Sequence, residues 1–129
     1  MSKGTVLVIE DNPDILEAVR LLLELEGFAV VTAGECFSGM DCLESSPPDV
    51  IVTDIGLPAM TGLEFIRYVR AKTHLQNIPI VAMSGYDQAH LVAAVTAGAN
   101  AALPKPEGLK ELTTTVHHLF TAGGGDFAV

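Results

Sequence analysis

Short apolar runs alternate with amphipathic stretches along most of this chain. Thr5-Val-Leu-Val-Ile-Glu10 is rich in β-branched residues and apolar on both alternating faces, which predicts a strand buried from both sides. Asn12-Pro13-Asp14 then supplies a cap and a helix-initiating proline, and Ile15, Val19, Leu22 and Leu23 repeat at helical spacing until Gly27. The same alternation predicts strand over Phe28–Ala33, helix over Glu35–Ser45, a break at Pro47-Pro48, and strand over Asp49–Asp54. Gly62–Lys72 reads as helix, Ile78–Ser84 as strand, Asp87–Ala97 as helix, Ala101–Leu103 as strand and Glu107–Phe120 as helix.

Five strands each followed by a helix predict an α/β fold with a parallel sheet, right-handed crossovers and helices on both faces. Five strands is the size of the flavodoxin-like (βα)5 arrangement with strand order 2-1-3-4-5, in which ligands gather at the C-terminal strand ends. Pro104 donates no ladder hydrogen bond, and it fits because strand five is an edge in that order. Residues 1–121 are expected to form one domain, and 122–129, with Gly123-Gly124-Gly125, a flexible tail or linker remnant.

Composition narrows the function. The 129 residues are 49% hydrophobic and 18% charged, as expected of a folded globule, and they fit one domain. Sixteen acidic against seven basic residues, a net charge of −9, argue against direct nucleic-acid binding. Nothing resembles a membrane span or secretory leader, so a cytoplasmic protein is expected. Cys36 and Cys42 lie in one helix at a spacing that suits neither a disulfide nor a metal clip, and the scattered histidines receive no ligand role.

The chemistry lies at the strand ends. Glu10 and Asp11 close strand one, Asp54 closes strand three, and those strands are neighbours in the expected order. Clustered carboxylates raise one another's proton affinity unless a cation neutralises them, and an oxygen-only set suits Mg²⁺. Strand-end acids also cap helices or solvate loops, and Asp11 alone reads equally well that way. Asp54 resists that reading, because it ends the run Val50-Ile-Val-Thr and precedes Gly56-Leu57-Pro58 rather than a helix. Lys105, in Pro104-Lys105-Pro106, supplies a positive charge suited to stabilising a transferring phosphoryl group, and Ser84 adds a hydroxyl.

From Thr5 to Phe120 the chain resembles the receiver domain of two-component response regulators. The likeness rests on the acidic pair Glu10-Asp11, the stretch Asp54-Ile-Gly-Leu-Pro-Ala-Met-Thr-Gly62, Ser84 as the switch hydroxyl, and Lys105 before Pro106. It implies that Asp54 is a phosphoacceptor nucleophile and that Mg²⁺ or Mn²⁺ is held by Asp11, Asp54 and the Gly56 carbonyl, with Glu10 acting through water. Lys105, Ser84 and backbone N–H groups would take up phosphoryl oxygens, and the Lys105–Pro106 bond would be cis. The implied partners are a sensor histidine kinase or histidine phosphotransfer protein and an output partner that the likeness does not name. The chain would assist its own phosphorylation and dephosphorylation rather than act as an enzyme on a separate substrate.

The chain also departs from that pattern. Ala102 stands where receivers place a rotating Tyr or Phe, which points to an altered relay or to a pseudo-receiver that binds partners without switching. Tyr86 is a candidate replacement aromatic, or a shield for the acyl phosphate. Gly56 and Tyr86 offer no group to orient a hydrolytic water, so slow self-dephosphorylation is expected. Ala89, Ala93, Ala94 and Ala97, with Ala101 and Ala102, suggest a shallow apolar surface in the region the family uses for output. Ala18, Leu21 and Leu25 form a second apolar line on helix one that suits a partner helix or a dimer. Flavin-binding and haloacid-type phosphatase alternatives are disfavoured, because Asp11-Asn-Pro-Asp14 is not a glycine- or hydroxyl-rich phosphate loop and Gly56 stands where that phosphatase needs an acid.

Overall fold

In the computed structural model, residues 3–57, 59–85, 88–105 and 109–121 are described. The elements run β1 (Thr5–Ile9), α1 (Pro13–Leu25), β2 (Ala29–Ala33), α2 (Cys36–Ser45), β3 (Val50–Asp54), α3 (Gly62–Ala71), β4 (Ile80–Ser84), α4 (Gln88–Ala97), β5 (Ala101–Pro104) and α5 (Leu109–Thr121). All four strand pairings are parallel, and the sheet order is β2-β1-β3-β4-β5, as expected.

The strands are apolar on both faces because each face has its own helices to cover it. Leu7, Ile9, Ile51, Ile80 and Ala82 pack with Cys36, Leu43, Phe65, Ile66 and Val69 beneath α2 and α3. Val6, Val8, Val50, Val52, Val81 and Met83 pack with Val19, Leu23, Leu112, Val116 and Leu119 beneath α1 and α5. Each large side chain buried in this way stabilises the fold by roughly 1.5–3 kcal/mol.

Local chemistry fixes the helix starts. The Asn12 side chain accepts from the N–H groups of Asp14 and Ile15 at 2.9 and 3.2 Å, and Pro13 opens α1. At α3, the hydroxyl of Thr61 accepts from the Glu64 N–H at 3.2 Å, while the Glu64 carboxylate accepts from the Thr61 N–H at 3.0 Å. That capping box sets where α3 begins, directly after the loop that follows Asp54.

Two expectations about surfaces have different outcomes. The α1 line of Ala18, Leu21 and Leu25 is exposed as expected, with Leu25 reaching 83%. The alanine surface needs correction: Ala94, Ala101 and Ala102 are buried, because α4 lies close against β5 and small side chains fill the seam. The large apolar side chains that α4 exposes are Val92 and Val95. Cys36 and Cys42 are free thiols, as expected, and burial pushes the Cys36 thiol up to about 12. The tail 122–129 lies outside the described residues.

Candidate phosphoacceptor site

Sheet register carries the acidic side chains to one rim. Asp54 and Ser84 are the last residues of β3 and β4, Glu10 and Asp11 follow β1, and Lys105 follows β5. Asp54 pairs in register with Met83, and Ser84 with Pro104, so the strand ends lie level. One carboxylate oxygen each from Glu10, Asp11 and Asp54 lies within 4.8 Å of the others.

Burial divides these groups. Glu10 is 4% exposed, Asp54 7% and Ser84 fully buried, whereas Asp11 is exposed at the mouth. The Lys105 ammonium donates to Glu10 Oε1 at 2.5 Å and lies 3.2 Å from Asp54 Oδ1. The Lys105 N–H donates to the Ser84 carbonyl at 2.8 Å, which ties the lysine to the end of β4. Backbone amides also point inward: the Asn12 N–H donates to Glu10 Oε2 at 3.1 Å, and the Gly56 N–H lies 3.4 Å from Asp54 Oδ1.

Electrostatics follow from that packing. Burial raises the Glu10 carboxyl above its ordinary value of 4.5, with the Asp54 charge adding to it, and the Lys105 and Asn12 contacts offset only part of the rise. Burial pulls the Lys105 ammonium down, but its contacts with Glu10 and Asp54 outweigh that and hold it above 10.5. Glu10 therefore favours folding when protonated: its contribution is complete below 4.5 and is lost as pH rises through its higher folded value. In metal-free buffer, Glu10→Gln is expected to be more stable than wild type near neutral pH, with the gap closing as pH falls toward 4.5. Denaturant unfolding of both proteins across that range checks this, and a gap that widens on acidification contradicts it.

The sequence-derived residues therefore divide plainly. Glu10, Asp11, Asp54 and Lys105 converge, Ser84 stands at the adjoining strand end, and Gly56 lies beside Asp54. Ala102 sits in the core rather than at the rim, its methyl in the cluster that contains Leu91, Ala94 and Ala99. Tyr86 and Pro106, and with the latter the expected cis bond, lie outside the described residues. A cleft of about 580 Å³ opens beside the carboxylates, lined by Asp11, Gly56, Leu57, Thr61, Leu63 and His90. Sequence reasoning gave His90 no role, since nothing local distinguishes one polar residue in the first turn of α4.

The response regulator receiver domain model matches residues 6–117. The chain belongs to this family. Among curated relatives, the receiver is 36% identical over 107 residues to the transcriptional regulatory protein KdpE of Mycobacterium tuberculosis, covering 82% of this chain and 46% of that protein. It is 32% identical over 115 residues to the response regulator MprA of Mycobacterium avium, covering 88% of this chain and 50% of the relative. The chain thus spans about half the length of these relatives. The chemotaxis response regulator CheY4 of Vibrio cholerae superposes with a TM-score of 0.82 at 26% identity, covering 90% of this chain and 98% of that one. The receiver domain of Francisella response regulator 1452 shares the fold at a TM-score of 0.86 and 23% identity, covering 93% and 98%.

Proposed function

We propose that this receiver takes a phosphoryl group on Asp54 from a phosphohistidine of a sensor histidine kinase or a histidine phosphotransfer protein. The observation that supports the reading best is the Lys105 ammonium set between Glu10 and Asp54 at a rim where three carboxylates meet. An Asp54 oxygen attacks phosphorus in line as the P–N bond breaks, and the departing imidazole takes a proton from solvent. Lys105, the Ser84 hydroxyl and the Gly56 N–H receive the phosphoryl oxygens, so the chain's contribution is positioning and charge.

Asp11, Asp54 and the Gly56 carbonyl would hold Mg²⁺ or Mn²⁺, with Glu10 acting through water. The donor set fits, because oxygen ligands of a carboxylate cluster suit a hard divalent cation. The ion would neutralise charge on the acceptor and on the incoming phosphoryl group. In this reading the protein works in the cytoplasm, assists its own phosphorylation, and keeps its acyl phosphate for long periods, because Gly56 offers no side chain to orient a water. The exposed Ala18-Leu21-Leu25 line of α1 is a candidate contact for the phosphodonor or for a second copy.

A pseudo-receiver reading draws on the buried Ala102 and predicts no phosphoryl uptake. Incubation with Mg²⁺ and phosphoramidate, followed by intact mass measurement, separates the two. One added phosphoryl group on wild type and none on Asp54→Asn is the expected result, while unmodified wild type favours the pseudo-receiver.

A further inference from the structure

We propose that the free edge of β2 is a docking strand for an extended, basic peptide segment of another protein, which adds to the sheet beside Val30 and Thr32 and places one large apolar side chain in the cavity between β2 and α2. The cavity lies toward the Thr5 end of the sheet, away from the carboxylate rim, so this surface is independent of the reading of Asp54.

The two edges of the sheet differ. Ala101, Ala102 and Leu103 of β5 are buried and the strand ends in Pro104, which blunts that edge. In β2, Ala29, Val31 and Thr32 are exposed, and the strand Ala-Val-Val-Thr-Ala contains neither a proline nor a charge. The Ala29 N–H donates to the Gly4 carbonyl at 2.9 Å and the Ala33 carbonyl accepts from the Glu10 N–H at 3.1 Å, so the odd-numbered residues turn their backbone toward β1. In a parallel ladder the alternate residues then turn outward, which aims the N–H and C=O of Val30 and Thr32 at solvent along the free edge. Such a row is a template for one more strand.

Side-chain chemistry selects the occupant. Val31 is in register with Leu7, whose side chain belongs to the core beneath α2, so Val31 faces the same way. It is nevertheless 41% exposed, because a cavity of about 280 Å³ remains between β2 and α2, lined by Leu7, Val31, Cys42 and Pro48, with Asp41 and Ser45 at its margin. A strand added beside β2 carries every second side chain onto that face, and the one next to Val31 meets the cavity, whose apolar walls suit Phe, Leu or Met. Charge narrows the choice further. Glu26 precedes β2, Glu35 follows it, Asp41 shares the cavity with Val31, and the whole chain carries a net charge of −9. Neither Glu26 nor Asp41 has an ion pair among the described residues. Lys3, the base next to the start of β2, lies 5.6 Å from the centre of the Phe28 ring, which packs on the opposite face of the sheet. Lys or Arg two residues to either side of the apolar anchor therefore complements this edge, whereas a second copy of the acidic chain brings like charges together.

Titration of the full chain with the heptapeptide Thr-Lys-Thr-Phe-Thr-Lys-Thr, followed by backbone amide NMR, tests the docking strand. Saturable shifts centred on Val30, Val31 and Thr32 and on Asp41 and Cys42 are expected, with Asp54 and its neighbours unmoved. Replacing the peptide's Phe by Ala should weaken binding roughly tenfold, the worth of one buried aromatic side chain. Thr32→Pro removes an outward N–H that β1 does not use, so the variant should fold and bind about tenfold more weakly. Asp41→Lys, on the exposed side of α2, should reverse the charge preference and favour a peptide with Glu in place of both Lys. No saturable binding up to millimolar peptide, shifts centred elsewhere, or equal binding of the Lys and Glu peptides to wild type overturns the proposal. If Thr32→Pro does not fold, the charge reversal in Asp41→Lys decides. Sedimentation of the chain alone covers the other occupant: a wild-type dimer that Thr32→Pro dissolves assigns the edge to a second copy and overturns the peptide reading.

Discussion

Lys105→Met is expected to slow phosphorylation of Asp54 by small phosphodonors roughly 10²–10³-fold, the usual cost of removing one preorganised charge that faces a developing anion. Methionine retains the alkyl stem, so packing at the end of β5 changes little and the loss reports the ammonium. In the resting protein that ammonium is shared between Glu10 at 2.5 Å and Asp54 at 3.2 Å, close enough to shift to phosphoryl oxygens without rebuilding the site. A second consequence concerns charge balance. Without Lys105, two largely buried carboxylates face each other with no counter-ion, so the variant should depend more strongly than wild type on Mg²⁺ for thermal stability. Initial rates with phosphoramidate check the first effect and melting curves with and without Mg²⁺ the second. A variant phosphorylated within a few-fold of wild type contradicts the role given to Lys105.

Gly62→Ala carries the largest expected stability effect. A Cβ at position 62 would lie 2.1 Å from the Asp54 carbonyl oxygen and 2.7 Å from Ile55 Cα, both backbone atoms held by the sheet. The Gly62 N–H donates to the Ile55 carbonyl at 2.9 Å, so the start of α3 is drawn onto the end of β3 beside Asp54. No side-chain adjustment relieves such a contact, and the helix start must retreat. Destabilisation of about 1–3 kcal/mol is expected, the usual cost of a buried steric conflict that shifts backbone. A linked loss of phosphorylation should accompany it, since the loop that carries Gly56 moves with the helix. Denaturant unfolding measures the first, and a midpoint close to wild type would mean that the close approach at Gly62 is not required.

Much of the molecule was legible in its sequence because the deciding signals are local. Runs such as Val6–Ile9 and Val50–Thr53 mark buried strands, Asn12-Pro13 marks a helix start, and strict alternation fixes a parallel sheet. That topology then brings Glu10, Asp11 and Asp54 together without any long-range information beyond strand order. What escaped depends on packing between distant segments. The sequence reading begins strand four at Ile78, but the Ile78 carbonyl accepts from Arg70 and β4 starts at Ile80. The alanines of α4 and β5 read as a surface because composition cannot show which faces another element, and Ala94 and Ala102 belong to one buried cluster. Ala59 adopts a left-handed φ of 65°, which an alanine tolerates poorly and which no pattern around it announces. Arg70 reads as one more surface charge at the end of an amphipathic helix, yet its four acceptors come from segments up to 30 residues away.

The acyl phosphate is expected to form on Asp54 and nowhere else. Borohydride reduction of the chain after treatment with Mg²⁺ and phosphoramidate converts an aspartyl phosphate to homoserine, and peptide sequencing by mass spectrometry then locates it. Homoserine at position 54 alone is the predicted result. Reduction at position 11, or unreduced aspartate at 54 in a chain shown to carry phosphoryl, contradicts the account.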